Sequence, residues 1–356
     1  MTFVIEQDLI FFQKFFTKGT PRDYAPDNNP VLFRVPHGIE DNCFVYKGIK
    51  FPGARETIED AILKGSAIYA VGEELFLTTV NWLKKQNIQR LNRGQSPIFF
   101  YISGYIDGIQ NQTPYLSWFE KTATVYKKAL PLDELDQLIA GKKTYVFNAL
   151  LGRVKPHRTI LHQMLASENG ITTLIPDSGK SDLSTYENQP NAFIWEGDYS
   201  QLKSKEQTVE TIKFNGYNVS ISKIIPTGVY AKSRWCVVAE TNFDRGHVFI
   251  TEKTVKPIIA KKPFVIAGNP GTLRFLRNIG FKTFSPWINE SYDEEPDFKI
   301  RILLMVIEIL KLCNKSESEL NDLDKRLERI VEHNRNHLYS RNWTDVFYND
   351  VYPKLP

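Results

Sequence analysis

The sequence predicts an α/β protein of two Rossmann-like lobes facing a cleft, with C-terminal helices bracing one lobe against the other. Three observations carry that expectation. The chain has 356 residues, too many for one ordinary core when single domains run to roughly 100–200 residues. Short β-rich runs alternate with longer amphipathic ones, the pattern of helices layered on sheet. Helix start and stop residues punctuate the alternation, as where Pro131 opens and Gly141 closes a segment of helical period. The expected lobes are 1–140 and 141–315, followed by bracing helices over 316–356.

In the first lobe the β-rich runs at 31–35, 67–71 and 97–103 predict strands, and the stretches near 57–64 and 75–87 predict helices. A helix over 132–140 then leads into the second lobe. There the pattern is cleaner: strand 145–150, helix 156–167, strands 171–175 and 235–239, helix 252–260, strand 263–267, helix 272–278 and a short strand 282–284. Such β–α alternation needs crossover connections and favours a parallel sheet. Between 177 and 225 the pattern weakens, and Gly216, Tyr217 and Asn218 suggest a turn between two short strands. The tail shows apolar helical faces at 298–312 and 320–338, the second carrying Lys325, Arg326, Arg329, Arg335 and His337.

Composition sets outer limits. Hydrophobic residues are 42% and charged residues 24%, close to globular averages, so nothing favours disorder. The longest apolar run, 302–310, is interrupted by Glu308 and falls short of the roughly 20 residues that span a bilayer. The start, Met1 to Asp8, lacks the basic and uninterrupted apolar stretches of a signal peptide, so a cytoplasmic location is expected. Cys43, Cys236 and Cys313 form no C-x-x-C pair and are read as reduced thiols, with Cys236 in the core. A net charge of +4 favours anionic ligands without reaching the charge density of a dedicated nucleic-acid binder.

The residues that point to chemistry cluster around 249–257. Phe249, Ile250, Thr251, Glu252 and Lys253 follow a strand and a polar loop and open a helix. Ligands bind there in open α/β sheets, because free amides and the helix dipole favour a phosphate. Glu252 supplies an acceptor for sugar hydroxyls and Lys253 a cation for a diphosphate, while Thr251 caps the helix; the plain alternative is a favourable helix start with a solvated lysine. A second cationic cluster, Arg153, Lys155 and Arg158 with His157, stands at the end of a strand and the start of a helix. A planar guanidinium suits bidentate phosphate recognition; the alternative is a solvated basic turn. Glu290, Asp293, Glu294 and Glu295 are read as a solvated loop capping the helix that follows rather than as metal ligands. Asp322 and Asp324 form the only D-x-D, inside a helix where they point to different faces, so no metal is expected. G-x-S-x-G, H-E-x-x-H and P-loop motifs are absent.

The order of apolar strand, Ala239-Glu240-Thr241-Asn242, spacer, Phe249-Ile250-Thr251-Glu252-Lys253, helix and Pro263 to Gly268 resembles the α1,3-fucosyltransferase family. The signature of that family is an apolar strand, F-E-N-S, a spacer, Y-[IV]-T-E-K, a helix and P-[IV]-x-x-G. The resemblance covers 235–268 well, extends weakly over 147–158 and is not visible before residue 140. It implies a GT-B fold and an inverting hexosyl- or pentosyltransferase that uses a nucleotide-sugar donor, GDP- or UDP-linked, without a further cofactor. On this basis Glu252 contacts the ribose or sugar, Lys253 the diphosphate, and Arg158 clamps phosphate. Thr241 stands where the family has asparagine and Phe249 where it has tyrosine, so the donor need not be GDP-fucose; Asn242 completes the implied donor set. The segment 279–295 is similar to one in phage and bacterial glycosyltransferase-like proteins that also carry I-T-E-K-T-x-K-P. A glycan or a modified base in duplex DNA is the expected acceptor, the latter compatible with the basic residues Lys84, Lys85, Arg90 and Arg93.

Inversion requires a base for the acceptor hydroxyl. Asp107, Glu73 and His37 each stand beyond a predicted strand end, and Asp107 ranks first because Tyr101 and Tyr105 offer rings for a sugar face. The competing class is a non-catalytic nucleotide-sugar or glycan-binding protein that keeps the donor site and lacks a base.

Overall fold

The structure, a computed structural model, describes residues 31–35, 37–46, 49–51, 53–128, 130–175, 211–214, 217–243 and 246–350. The chain is a mixed α/β protein in two compact units. The first holds the described residues to Leu116, a short strand near 248 and residues 343–350; the second holds 117–243 and 250–342. Strand and helix assignments follow the burial each sequence can sustain.

In the first unit, strands β1 (Val31–Arg34), β5 (Ile68–Gly72), β6 (Ile98–Ile102) and β8 (Gln112–Pro114) form a parallel sheet in the order β1-β5-β6-β8. Helices α1 (Ala54–Lys64) and α2 (Leu77–Asn92) link them. Side chains of a strand alternate between faces. Accordingly Ile68 and Ala70 of β5 join Phe100, Ile102, Ile62 and Leu83 in one cluster, while Tyr69 and Val71 join Tyr101 and Tyr115 in another. A separate antiparallel sheet comprises β2 (Gly38–Glu40), β3 (Cys43–Tyr46) and β4 (Ile49–Phe51). The β2–β3 turn is Asp41-Asn42, both at positive φ (47° and 64°), the conformation of a two-residue type I′ hairpin, which Asn and Asp tolerate. None of these three strands is predicted from sequence, because each has only three or four residues and no periodicity to read.

The second unit contains α3 (Ser117–Lys128), α4 (Leu132–Ile139), β9 (Tyr145–Arg153), α5 (Pro156–Leu165), β10 (Gly170–Ile175), the antiparallel pair β11 (Thr211–Phe214) and β12 (Tyr217–Ser220), and α6 (Thr227–Lys232). It continues with β13 (Ser233–Ala239), α7 (Glu252–Ile259), β15 (Phe264–Ala267), α8 (Thr272–Asn278), α9 (Phe298–Cys313) and α10 (Glu317–Tyr339). The sheet is parallel throughout, in the order β10-β9-β13-β15. Every residue of β13 and β15 is buried, as parallel strands covered on both faces require. Helix α5 packs on α9, and α7 packs on α3 and α10. Helix α11 (Asp345–Asp350) lies in the first unit.

Several expectations change. The sequence suggests a changeover near Gly141, whereas the compact units divide between Leu116 and Ser117, since α3 packs on α7 and α4 on α6. No strand forms over 282–284: the Lys282 amide donates to Asn334 Oδ1 (2.8 Å) and its carbonyl accepts from Asn334 Nδ2 (2.9 Å), so a side chain takes the place of a neighbouring strand. The acidic run is not a solvated cap for the helix that follows. Asp293 is buried and accepts the amides of Leu273 (2.9 Å) and Arg274 (3.0 Å) at the start of the preceding helix α8. Glu290, also buried, accepts from Thr283 Oγ1, the Phe284 amide and Arg277. Asp297 is the residue that caps α9, through the amides of Lys299 and Ile300. Of the turn suggested at 216–218, Tyr217 and Asn218 are instead the first residues of β12, and Gly216 lies outside the described residues.

Strand β7 (Gly104–Ile106) pairs antiparallel with β14 (His247–Phe249) within the first unit. Gly104 permits the approach: a Cβ there would lie 1.6 Å from the Val248 carbonyl oxygen. Gly104→Ala should therefore displace β14 and destabilise the protein by about 1–3 kcal/mol, measured as a lower urea midpoint; an unchanged midpoint would show that the β7–β14 pairing contributes nothing.

Candidate functional site

From β9 the chain passes through α5 to β10 on one side of it, then returns to β13 on the other side and moves outward through α7 to β15. The loops leaving β9 and β13 therefore diverge. Between them lies the crevice at the carboxyl ends of the strands where doubly wound sheets bind ligands.

Residues of the β9–α5 connection reach across that crevice. Lys155 Nζ donates to the Thr241 carbonyl (2.9 Å), and Arg158 Nη2 to the carbonyls of Ala239 (3.2 Å) and Glu240 (3.3 Å). His157 Nε2 meets the Glu240 carbonyl at 3.1 Å, and its ring stacks on Phe243 at 4.9 Å. Burial and the adjacent Arg158 charge push His157 down to about 3, so the ring is neutral. Pro156 opens α5, where its missing N–H costs no helical bond.

The start of α7 faces the same crevice. Glu240, fully buried one residue past β13, accepts from the Thr251 amide (3.0 Å), Thr251 Oγ1 (2.7 Å) and Thr254 Oγ1 (2.6 Å). Thr251 is the N-cap and its Oγ1 accepts from the Lys253 amide at 3.3 Å. Lys253 Nζ bridges Glu252 Oε1 (2.8 Å), Thr251 Oγ1 (3.2 Å) and Thr241 Oγ1 (3.3 Å). Burial tends to raise the Glu252 carboxyl, but Lys253 and Lys256 outweigh it, and the group stays below its ordinary value as a carboxylate.

Further bases surround Glu252. Burial lowers Lys256 to about 8 despite the attraction of Glu252. Lys223 is lowered by burial and by neighbouring Lys121, and raised by Glu252. Burial lowers Arg158 against the attraction of Glu240 and Glu252. Around this crevice the bases Lys155, Arg158, Lys253 and Lys256 outnumber the carboxylates Glu240 and Glu252. An excess of partly desolvated positive charge favours a multiply charged anion.

The structure thus brings together Arg158, Thr241, Thr251, Glu252 and Lys253. Asn242 follows Thr241 and is buried, with neither side-chain amide atom hydrogen bonded among the described residues. Arg153 ends β9, its backbone in register with Ile175. Phe249 lies in β14 of the first unit, its ring stacked on His247 at 5.8 Å. Arg158 is not the exposed cation that a basic turn suggests: it is buried.

The three candidate bases belong to the first unit. His37 and Glu73 follow the neighbouring strands β1 and β5 at their carboxyl ends. Asp107 is exposed in the turn after β7. That strand folds back: Gln112, which pairs with Phe100 in mid-β6, binds both the amide and the carbonyl of Ile106 at 2.7 Å. Asp107 therefore does not continue β6 beyond the sheet edge.

Of the basic run on α2, Arg90 is buried and committed to the carbonyls of Ile62, Gly65 and Ser96, so it is not available to a nucleic-acid phosphate. Asp324 of the D-x-D pairs with Arg234, and among the described residues no group of His, Cys, Asp and Glu is arranged to hold a metal. Cys236 is buried with its Sγ 3.3 Å from Asn148 Nδ2. Among the described residues no helix is long and apolar enough to cross a membrane.

Sequence reasoning assigned no role to Glu240, Lys121, Lys223 and Lys256. For Glu240 a signal exists, a carboxylate directly after an all-buried strand with threonines at 251 and 254; for Lys121 and Lys223 no spacing reveals that separate segments converge. No protein-family model matches the chain, and no match is found among the curated proteins or the solved structures.

Glu240→Gln would set an amide N–H₂ or a weaker carbonyl acceptor against four donors, the amides of Thr241 and Thr251 and the hydroxyls of Thr251 and Thr254. The expected loss is about 1–3 kcal/mol, seen as a lower denaturation midpoint together with weaker anion binding. Wild-type stability and binding in that variant would show that Glu240 does not hold the start of α7.

Proposed function

We propose that the second unit binds a nucleotide-sugar at this crevice and that the protein is an inverting glycosyltransferase of the GT-B kind. The observation that carries this is the excess of bases over the two buried carboxylates, Glu240 and Glu252, at the switch point of a parallel sheet. The charge suits a diphosphate, and Glu252 suits sugar or ribose hydroxyls. A diphosphate gains negative charge as the glycosidic bond breaks, and fixed cations in a partly desolvated site stabilise that change. Lys253 and Lys256 serve the diphosphate, Arg158 supports it from the β9 side, and Glu252 orients the sugar nucleotide. The resemblance of the 235–268 segment to α1,3-fucosyltransferases supports the same assignment. Phe249 and Thr241 leave the sugar and nucleotide open, and the acceptor is a hydroxyl of a glycan or of a modified DNA base.

A thermal-shift screen of GDP-, UDP-, CMP- and dTDP-sugars identifies the donor, since a ligand that binds only the folded state raises the melting temperature. Lys253→Ala should weaken binding of that donor by about 10- to 100-fold, the equivalent of roughly 1.5–3 kcal/mol for a charged hydrogen bond, and should also lower stability, because it leaves the buried Glu252 carboxylate without its ammonium partner. Arg158→Ala should lose both affinity and stability, because it also abandons two buried carbonyls. Unchanged calorimetric affinity in both variants would move the donor site elsewhere.

The Lys256 ammonium makes binding sensitive to pH. A bound diphosphate restores its proton, so binding takes up a proton above about 8 and donor affinity falls as pH rises further. In the free protein the sign is opposite: the unfolded state binds more protons between about 8 and the ordinary value of 10.5, so this group's contribution to stability rises with pH across that window. Calorimetry in buffers of different ionisation enthalpy should show the proton uptake in wild type and its loss in Lys256→Met; equal uptake in both would exclude Lys256 from the site.

The base is assigned by kinetics. If Asp107 performs that step, Asp107→Asn should keep donor affinity and lower turnover by roughly 10²-fold or more, with Glu73→Gln and His37→Ala losing much less. Normal turnover in Asp107→Asn beside an inactive competitor reassigns the base to that competitor.

A further inference from the structure

We propose that Lys121 and Lys223 form a second anion subsite, distinct from the diphosphate cations, that takes a phosphate or carboxylate group carried on a sugar. The inference rests on the donor assignment above for the role of its neighbours, but not for its own existence.

Its geometry comes from three elements of the second unit. Helix α3 and the short 3-10 turn Ile221–Lys223 both pack on α7. Tyr126 of α3, a buried side chain, fixes the turn: its hydroxyl donates to the Lys223 carbonyl (3.1 Å) and accepts from the Ile225 amide (2.6 Å). Lys223 is thereby held between α3 and the start of α7, half-buried, with Lys121 and Glu252 as its charged neighbours. Glu252 is already bridged by Lys253 at 2.8 Å. Among the described residues neither Lys121 nor Lys223 has a carboxylate within ion-pair distance. The half-buried Lys223, repelled by Lys121, is stabilised by an anion held beside the two ammonium groups.

Lys223 does not share the environment of the diphosphate cations. Lys256 and Lys253 are coupled to one another and to Glu252, and Arg158 to Glu240 and Glu252. Glu252 is the charge common to both groups. Lys121 Nζ lies 6.0 Å over the Trp118 ring. That ring is half-buried, with its Nε1 lacking a partner among the described residues, and it adds an aromatic wall beside the cations. Aromatic rings and cations together suit an anionic carbohydrate. The anionic sugar is either a phosphorylated acceptor or the sugar of a uronate-type donor.

The test titrates glucose 6-phosphate by calorimetry into the whole protein, free and saturated with UDP or GDP, and compares UDP-glucuronate with UDP-glucose. Lys121→Gln and Lys223→Gln, singly and together, keep most of the side-chain stem; Lys121 is exposed, so its single variant folds even if the half-buried position is less tolerant. The expected result is that wild type binds glucose 6-phosphate in the presence of nucleotide, or prefers UDP-glucuronate over UDP-glucose. The double variant loses that binding or preference by at least tenfold, Lys121→Gln loses part of it, and the affinity for UDP or GDP itself changes less than twofold. The first behaviour identifies an acceptor group and the second a donor group. Absence of both in wild type, or their survival in the variants, overturns the subsite. Loss of UDP and GDP affinity in the variants also overturns it, since the lysines would then belong to the diphosphate site. Conversely, if neither nucleotide binds but glucose 6-phosphate does and is lost in the variants, the donor assignment fails and the subsite stands.

Discussion

The buried Glu240 carboxylate is the constraint on which the site depends. It lies one residue beyond β13 and accepts from Thr251 and Thr254, so it joins the end of the central strand to the start of α7 without an intervening loop having to be rigid. A buried carboxyl group is tolerable only with its oxygens satisfied, and here two threonine hydroxyls and the backbone amides of Thr241 and Thr251 do so. The backbone carbonyl of the same residue receives Arg158 and His157. One residue thus ties both edges of the crevice, through its side chain on one and its main chain on the other.

The remaining supports act on the far ends of the same elements. Arg335 of α10 donates to the Ile259 carbonyl at the end of α7 (2.6 Å) and to both oxygens of Asp136 on α4. A cation at a helix C-terminus satisfies an open carbonyl and complements the dipole. Lys261, just past the helix, holds a left-handed φ of 47° without being glycine, and its Nζ pairs with Asp136 at 2.9 Å. On the other side Arg301 lies 4.3 Å over the Phe243 ring and donates to the Phe243 carbonyl, and the His157 ring stacks on the same ring at 4.9 Å. The loop from Glu240 to Phe243 is therefore clamped at both ends, and the neutrality of His157 keeps a third cation from crowding Arg158 and Arg301.

How much of this was legible in the sequence depends on the range of the interaction. Long amphipathic or wholly apolar segments such as 156–167, 235–239 and 298–312 announce themselves, because their period or burial is local; the structure changes only their ends. Helix 272–278 is read with its bounds intact. Short strands such as β7 and β14 exist only through a partner more than a hundred residues away, and no local pattern encodes that. The same limit applies to the site. Thr251, Glu252 and Lys253 are adjacent in sequence and were legible as a helix start, whereas Lys121, Lys223 and Glu252 meet only because α3 and the turn before α6 pack on α7. Arg90 and Asp293 depart from the sequence expectation for one reason: charge in a sequence suggests solvent, but a buried guanidinium or carboxylate is tolerated where backbone groups satisfy its hydrogen bonds.

Arg158 shows why residues at such a crevice resist a division into structural and functional. Its guanidinium holds the carbonyls of Ala239 and Glu240, yet neutral side chains with equivalent hydrogen bonds would do that without the cost of burying charge. Retaining a cation there makes sense if a mobile anion shares the expense. The same holds for Lys256, whose proton is loosened by burial to about 8. A site that binds its ligand through such groups is destabilised when empty and relieved when filled, so ligand affinity and fold stability are two readouts of one electrostatic imbalance. That coupling requires the anion to reach the bases while they remain partly out of water.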